Sequence, residues 1–319
     1  MTATAEIQQR TAFETARRAR LGVPAAAGGV LYLLSAIILN ATLKELPTVG
    51  IVQGLEPALR GEGNPAVSPR AAEVKYIDHH AFGLVVGNVL MAAAVIALTL
   101  VLLFLTESTR FRRPETWSAA RPVVLVGGIG YALLNLTHEL VLVVEAHKFV
   151  SSGNFSNDAV EKALLTSGAG GFALSLLGLL AALALAVGMI AVMVGAMRAG
   201  LLPRWLSVLG ILSGLLFLPF FNSPTLELIP TFWLVAVGIL LMERWPQGDP
   251  PAWAAGEARP WPTQADVRAQ REAGKGSGAG GGLRAKIARN GSQSSADVAP
   301  EPTPAAATGG SKRKRRKRN

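Results

Sequence analysis

The stretch NLTHELVLVVEAH, residues 135 to 147, places an imidazole and a carboxyl group side by side in a long apolar run. His138 changes charge near neutral pH, so the pair could transfer protons. Both side chains are also ligands for Zn²⁺ or another divalent ion. Ionisable groups are costly in such a segment unless they are partnered, so the pair indicates either an interhelical contact or a functional site.

The four histidines and the nearby acids form a candidate metal site. The metal ligands predicted from the sequence are His79, His80, His138 and Glu139. A divalent metal is therefore the cofactor to test, although the sequence does not require any cofactor. The zincin motif HExxH is absent, because position 142 is a leucine. Haem bound between His80 and His138 is a weaker alternative, because the two are predicted at different depths.

A second group of polar residues shares a helical face with His138. At 100° per residue, Tyr131, Asn135, His138 and Glu145 lie along one face, with Glu139 on its flank. Polar residues on one face of an apolar helix point toward protein rather than lipid. This face is therefore predicted to contact another helix.

The preceding apolar run supplies a matching face. It carries Asn88 next to GLVVG, residues 83 to 87, a spacing of glycines that lets two backbones approach closely. The two faces are predicted to pack together, giving a polar cluster of Asn88, Tyr131, Asn135 and Glu145. Three roles stay open for this region: structural glue between helices, a proton or substrate path, and a metal site.

Membrane-spanning helices must position these residues. Half of the 319 residues are hydrophobic and only 16% are charged, unlike a typical soluble domain. An all-α polytopic membrane helix bundle is therefore predicted. Runs of roughly 20 apolar residues, enough to cross a ~30 Å hydrocarbon core, occur at Leu21 to Leu43, Ala81 to Leu105, Val123 to Val144, Phe172 to Met197, Trp205 to Phe221 and Leu226 to Met242.

These runs predict six transmembrane helices. The first run is too long for the apolar core of a signal peptide and is predicted to remain as a span. The last two runs are short and separated only by residues 222 to 225, which predicts a hairpin. A re-entrant pair or a single interrupted span is the alternative.

The basic residues predict the orientation. With residues 1 to 20 in the cytoplasm, the cytoplasmic segments hold 25 of the 31 Lys and Arg residues, in the direction of the positive-inside rule. Without the C-terminal tail the comparison is 10 against 6, in the same direction. This predicts a multi-pass protein of the inner cell membrane with both termini in the cytoplasm and all four histidines in the outer half.

Three regions follow: a cytoplasmic segment (1–20), a six-span domain (21–243) and a disordered basic tail (244–319). The tail is rich in Pro, Gly, Ala and Ser, and such a composition cannot bury enough apolar surface to offset the entropy of ordering. Its terminal cations are expected to contact anionic lipid headgroups, whereas nucleic acid is not favoured. These cations are Lys312, Arg313, Lys314, Arg315, Arg316, Lys317 and Arg318.

Several chemistries are excluded. The chain has no cysteine, which removes disulfides, thiolate metal sites and thiol catalysis. It also lacks a nucleophile elbow, a Walker loop and a dinucleotide fingerprint. We therefore expect a non-enzymatic membrane protein, either a scaffold or one that handles a small solute, an ion or protons. An intramembrane metal-dependent hydrolase is the alternative, and a homo-oligomer is left open.

Two stretches carry a family resemblance. RLGVPAAAGGVLYLL (20–34) and GLLPRWLSVLGILSGLL (200–216) resemble the first span and the inner turn before the fifth span of a bacterial membrane group called domain of unknown function 4386. The resemblance covers residues 17 to 243. It implies a similar bundle and brings no activity, cofactor or site residues. An excess of arginine over lysine, 22 to 9, agrees with a GC-rich bacterial source.

Reporter fusions test the predicted orientation. A reporter that is active only outside the cytoplasm should be active within residues 44 to 80 and inactive after residue 246, since arginine-rich segments stay inside. A reporter active only in the cytoplasm should give the reciprocal pattern. The same compartment for both positions would show that the orientation is wrong.

Overall fold

The computed structural model describes residues 3–50, 52–53, 59–61, 67–166, 168–219, 226–246, 248–259, 261 and 268–269, with side chains from residue 8 onward. The chain divides into two units, residues 1–261 and residues 262–319. Nearly all of the second unit, including the cations at 312–318 and most of the predicted tail, lies outside the described residues.

Across these ranges the regular secondary structure is helical, without strands, which confirms the all-α prediction. In chain order the helices are α1 (Ala3–Leu43), α2 (Ala71–His79), α3 (Ala81–Arg112), α4 (Ala120–Ser152), α5 (Asn157–Ala163), α6 (Ala169–Ala199), α7 (Arg204–Leu216), α8 (Leu228–Leu241) and α9 (Pro251–Ala255).

Four helices in the described part are long and apolar enough to cross a membrane: α3, α4, α6 and the segment Gln8–Leu43 of α1. They contain the first four predicted spans. The fifth and sixth predicted spans correspond to α7 and α8, of 13 and 14 residues. At 1.5 Å per residue these two helices are each ~20 Å long, which is shorter than a ~30 Å hydrocarbon core.

The four long helices and α7 and α8 form a closed ring. α1 contacts α3 and α8, α4 contacts α3 and α6, and α7 contacts α6 and α8. A contact between α3 and α6 crosses the ring. Leu102, Leu185, Met189 and Trp233 are buried in its core. Large apolar side chains such as Ile37, Leu133, Leu177 and Phe232 are exposed on the outside, as expected for helices that face lipid.

Glycines set the closest helix contacts. A Cβ atom on Gly238 of α8 would lie 2.5 Å from the backbone nitrogen of Ala26 in α1. A Cβ atom on Gly127 of α4 would overlap the backbone nitrogen of Leu185 in α6. Only glycine permits these two approaches, which is the packing mode that membrane helices favour.

The predicted close-packing spacing on α3 is used, but against a different helix. A Cβ atom on Gly83 would lie 2.6 Å from Thr42 Oγ1, and one on Gly87 would lie 2.5 Å from Leu39, both on α1. α3 lies between α1 and α4 in the ring, so its glycines pack against α1 while its polar flank faces α4.

Neighbouring ring helices run in opposite directions, so the connecting segments gather at two ends. At the histidine end, α2 packs beside the last turns of α4, and Asp78 Oδ1 lies 3.0 Å from His147 Nδ1. At the basic end, Arg18 of α1 and Arg112 of α3 are both buried.

Trp253 of α9 organises the basic end. The guanidinium carbons of Arg18 and Arg112 lie 4.9 and 5.1 Å from its ring centroid. The ring stacks on Phe104 with centroids 5.8 Å apart, and its Nε1 donates to the backbone oxygen of Leu201 at 3.1 Å. Cation–π and stacking interactions therefore attach α9 to the ring.

The two arginines are also paired. Arg18 Nη2 lies 2.7 Å from Asp249 Oδ1, and Arg112 Nη2 lies 2.8 Å from Glu14 Oε2. The sequence-based boundary started the tail at residue 244, whereas residues 248–259 include a helix packed on the bundle. Composition did not reveal this packing because it depends on partners more than 130 residues earlier in the chain.

Truncation tests the extended boundary. A chain that ends at residue 261 should keep the stability of the full-length protein. A chain that ends at residue 246 lacks Asp249 and Trp253, and should lose roughly 3–5 kcal/mol of unfolding free energy because buried arginines lose partners. Thermal unfolding in detergent measures both. Equal stability of the two truncations would contradict the attachment of α9.

Candidate functional site

A cavity of about 830 Å³ lies in the half of the ring nearer the histidine end. Its wall is built from the second half of α1, the middle of α4, the first halves of α3 and α6, part of α2, and the facing ends of α7 and α8. This volume is within the range of pockets that bind small molecules. The two short helices contribute only their ends, so their early termination helps to leave this space open.

The wall combines polar and apolar side chains. Leucines from the helices and from their connecting segments supply most of the apolar part. The polar side chains are Tyr32, Asn40, Arg70, Glu73, Asn88, Tyr131, Asn135, His138, Glu139, Thr166, Ser175 and Glu227.

The contact predicted between the polar faces of α3 and α4 is present. Asn135 Nδ2 donates to Asn88 Oδ1 at 3.0 Å, and Asn88 Nδ2 donates to the backbone oxygen of Leu84 at 3.0 Å. Asn88 is buried. Asn135 and Tyr131 also line the cavity, so these residues join two helices and present polar groups to the same space.

His138 and Glu139 line the cavity and are half-buried. The Oε1 atom of Glu139 is buried without a hydrogen-bond donor among the described residues. A purely structural contact between helices would require a hydrogen-bonding partner for this carboxyl group, and the described residues supply none. Its position favours the solute or proton role among the alternatives that the sequence left open.

The other predicted ligands lie elsewhere at the histidine end. The His80 ring stacks on Tyr76 with centroids 3.9 Å apart, and His79 packs edge-on against His80 at 5.0 Å. Neither histidine lines the cavity that contains His138 and Glu139. Within the described ranges, no three His, Cys, Asp or Glu side chains form a group able to hold a metal ion.

Glu145, predicted in the polar cluster, does not line the cavity. Its Oε1 lies 2.6 Å from Lys148 Nζ, one turn later on α4. His147 pairs with Asp78. The end of α4 beyond the cavity therefore carries ordinary ion pairs, because the helix extends past the apolar run into a polar environment.

Tyr32, Phe217 and Glu227 line the cavity but, unlike Tyr131, were not proposed as site residues from the sequence. Tyr32 and Tyr131 each pack edge-to-face on Phe217, with centroids 6.1 and 5.6 Å apart. Glu227 precedes α8 and has a buried Oε2 atom without a donor among the described residues. The sequence offered two signals for these residues: a tyrosine in the middle of the first apolar run and an acid beside the predicted hairpin. Neither signal indicated that the two side chains share one cavity.

The structure thus defines an all-helical protein with membrane-length helices around a polar cavity. No protein-family model, curated protein or solved structure matches the chain. The resemblance to domain of unknown function 4386 stays a prediction.

The asparagine contact can be tested by substitution. Asn135→Leu should lower the unfolding free energy by roughly 1–2 kcal/mol, the upper range for an interhelical hydrogen bond in a membrane protein. Thr137→Leu, an exposed position on the same helix, is the control and should be nearly neutral. Unfolding in detergent measures both. The contact would be unimportant if Asn135→Leu matched the control, or if its effect were unchanged in an Asn88→Leu background.

Proposed function

We propose that this protein is a six-span protein of the inner membrane that binds a small solute in the cavity and catalyses no reaction there. The cavity carries the proposal. It combines a volume suited to a small molecule with a few polar groups on an apolar wall, which is the usual composition of a ligand site. Ionisable residues inside membrane helices commonly mark the path or binding site of a substrate or ion.

The six-span arrangement is part of the proposal. Like each longer helix, α7 and α8 each contact two ring neighbours, which supports their being membrane-crossing despite their length. With both termini in the cytoplasm, the basic end faces the cytoplasm and the histidine end faces outward. Solute would then reach the cavity from the outer side, and residues 312–318 would lie near anionic lipid on the inner side.

The depth of the cavity supports a role in handling solutes over one as a scaffold. Its lining on α4 extends from Tyr131 to Leu142, which at 1.5 Å per residue is ~17 Å along the helix. Half of a ~30 Å core is about the same distance. A scaffold has no need for such an opening, because filling it with apolar side chains would increase stability.

Filling the cavity tests solute binding. A Cβ atom on either Gly178 or Gly170 would have no neighbour within 4 Å, yet only Gly178 lines the cavity. Both lie on α6, so Gly178→Phe and Gly170→Phe form a matched pair. A bound solute raises the melting temperature by mass action. The melting temperatures of the three proteins are measured in nanodiscs with a set of small metabolites. Some metabolites should raise the melting temperature of the wild type and of Gly170→Phe but not that of Gly178→Phe.

Two results would contradict the proposed binding of a solute in the cavity. Stabilisation of all three proteins by the same solutes would place binding outside the cavity. A screen in which no solute stabilises the wild-type protein would count against solute binding altogether.

A further inference from the structure

We infer that the solute is a small organic cation, with an ammonium group held by Glu139 and Glu227 and an apolar portion held by the aromatic wall. This inference rests on the proposed function and specifies the ligand of the same site. It follows from the charges that line the cavity, from their missing partners and from the rings beside them.

The lining charges leave an acidic excess. Arg70 and Glu73 neutralise one another, because Arg70 Nε lies 2.9 Å from Glu73 Oε2 and Arg70 Nη2 lies 3.2 Å from Glu73 Oε1. Glu139 and Glu227 also line the cavity, and neither forms an ion pair with a described residue. A ligand that complements this wall therefore carries positive charge.

Each of these two carboxyl groups also lacks a hydrogen-bond donor among the described residues. The buried atoms without a partner in the described part include Glu139 Oε1 and Glu227 Oε2. A buried acceptor without a partner is unfavourable, and more so when it is charged. An ammonium group carries up to three N–H donors and would satisfy such an oxygen with a charge-assisted hydrogen bond.

The aromatic wall distinguishes an organic cation from a hydrated metal ion. Tyr32 and Tyr131 flank Phe217 in edge-to-face contacts. Neither tyrosine hydroxyl makes a hydrogen bond to a described residue, so both remain available to a solute. Aromatic faces attract alkylammonium groups and pack against their carbon chains, whereas a metal ion needs several oxygen or nitrogen ligands at one point.

Three matched probes test the charge of the ligand: hexylamine, hexanol and hexanoate, which share a carbon chain and differ in charge. Binding is measured by calorimetry to full-length protein in nanodiscs of zwitterionic lipid, with empty nanodiscs as the blank. Hexylamine should bind at least roughly tenfold more tightly than either other probe, the usual scale for a charge-assisted hydrogen bond to a buried carboxylate.

Near-isosteric variants assign the carboxyl groups. Glu139→Gln and Glu227→Gln should each weaken hexylamine binding by roughly tenfold or more. Glu145→Gln is the control, because this acid lies on the same helix as Glu139 but outside the cavity, and its affinity should equal that of wild type. Unfolding temperatures without probe establish that each variant is folded.

Absence of hexylamine binding, or unchanged affinity in both cavity variants, would overturn the inference. Preferred binding of hexanol or hexanoate would also overturn it. If Gly178→Phe abolished such binding, the proposed solute site would stand while its cationic ligand would not.

Discussion

An apolar helix in lipid cannot leave charged or hydrogen-bonding groups without partners, and this constraint decides where every ionisable residue of the ring lies. At the basic end Arg18 and Arg112 are buried, but each has a carboxylate, a backbone oxygen and the face of Trp253 as partners. In the cavity, Glu139 and Glu227 each have a buried oxygen without a donor in the described part of the chain. The arginine charges at the basic end are therefore paired, although Arg18 Nε has no hydrogen-bond partner among the described residues. The two cavity carboxyl groups have no such ion pair within the same residues and can accept a charged solute.

Packing explains why this cavity lies toward the histidine end. Gly238 and Gly127 bring the backbones of α8 and α1, and of α4 and α6, into close contact on the side of the ring away from the histidine end. Toward the histidine end, α7 ends at Leu216 and α8 begins at Leu228, whereas α4 continues to Ser152. The long helices therefore extend past the short pair and leave a space that their polar residues line.

Much of this arrangement could be predicted from the sequence. Apolar runs marked all six ring helices, and helical periodicity placed Asn88 and Asn135 on faces that meet. Periodicity shows which face of a helix is polar, but not which helix it meets. The glycine pair at 83 and 87 was accordingly matched to α4, although it packs on α1. Histidines predicted to lie toward the same outer side were likewise grouped as metal ligands, although His80 instead stacks on Tyr76.

The residues missed by prediction depend on contacts distant in sequence. Trp253 lies in a stretch whose proline content indicates disorder, and its binding partners are Arg18 and Arg112 in two other helices. The sequence around Glu227 does not indicate a site. Its place in one becomes evident only because Tyr32 and Tyr131, from two other helices, line the same cavity. No local pattern encodes such convergence, because it depends on the order of helices around the ring.

Cysteine accessibility tests most directly whether a water-accessible cavity lies inside the membrane-embedded ring. The chain has no cysteine of its own, so Ser175→Cys and Leu177→Cys each introduce one thiol at nearly the same depth of α6. Ser175 lines the cavity, and Leu177 is exposed on the outer surface of the ring. A thiol reacts as its thiolate, which forms in water and not in hydrocarbon. With a small membrane-impermeant reagent added outside intact cells, the account predicts rapid labelling at position 175 and none at position 177. Labelling of both positions, or protection of position 175, would contradict it.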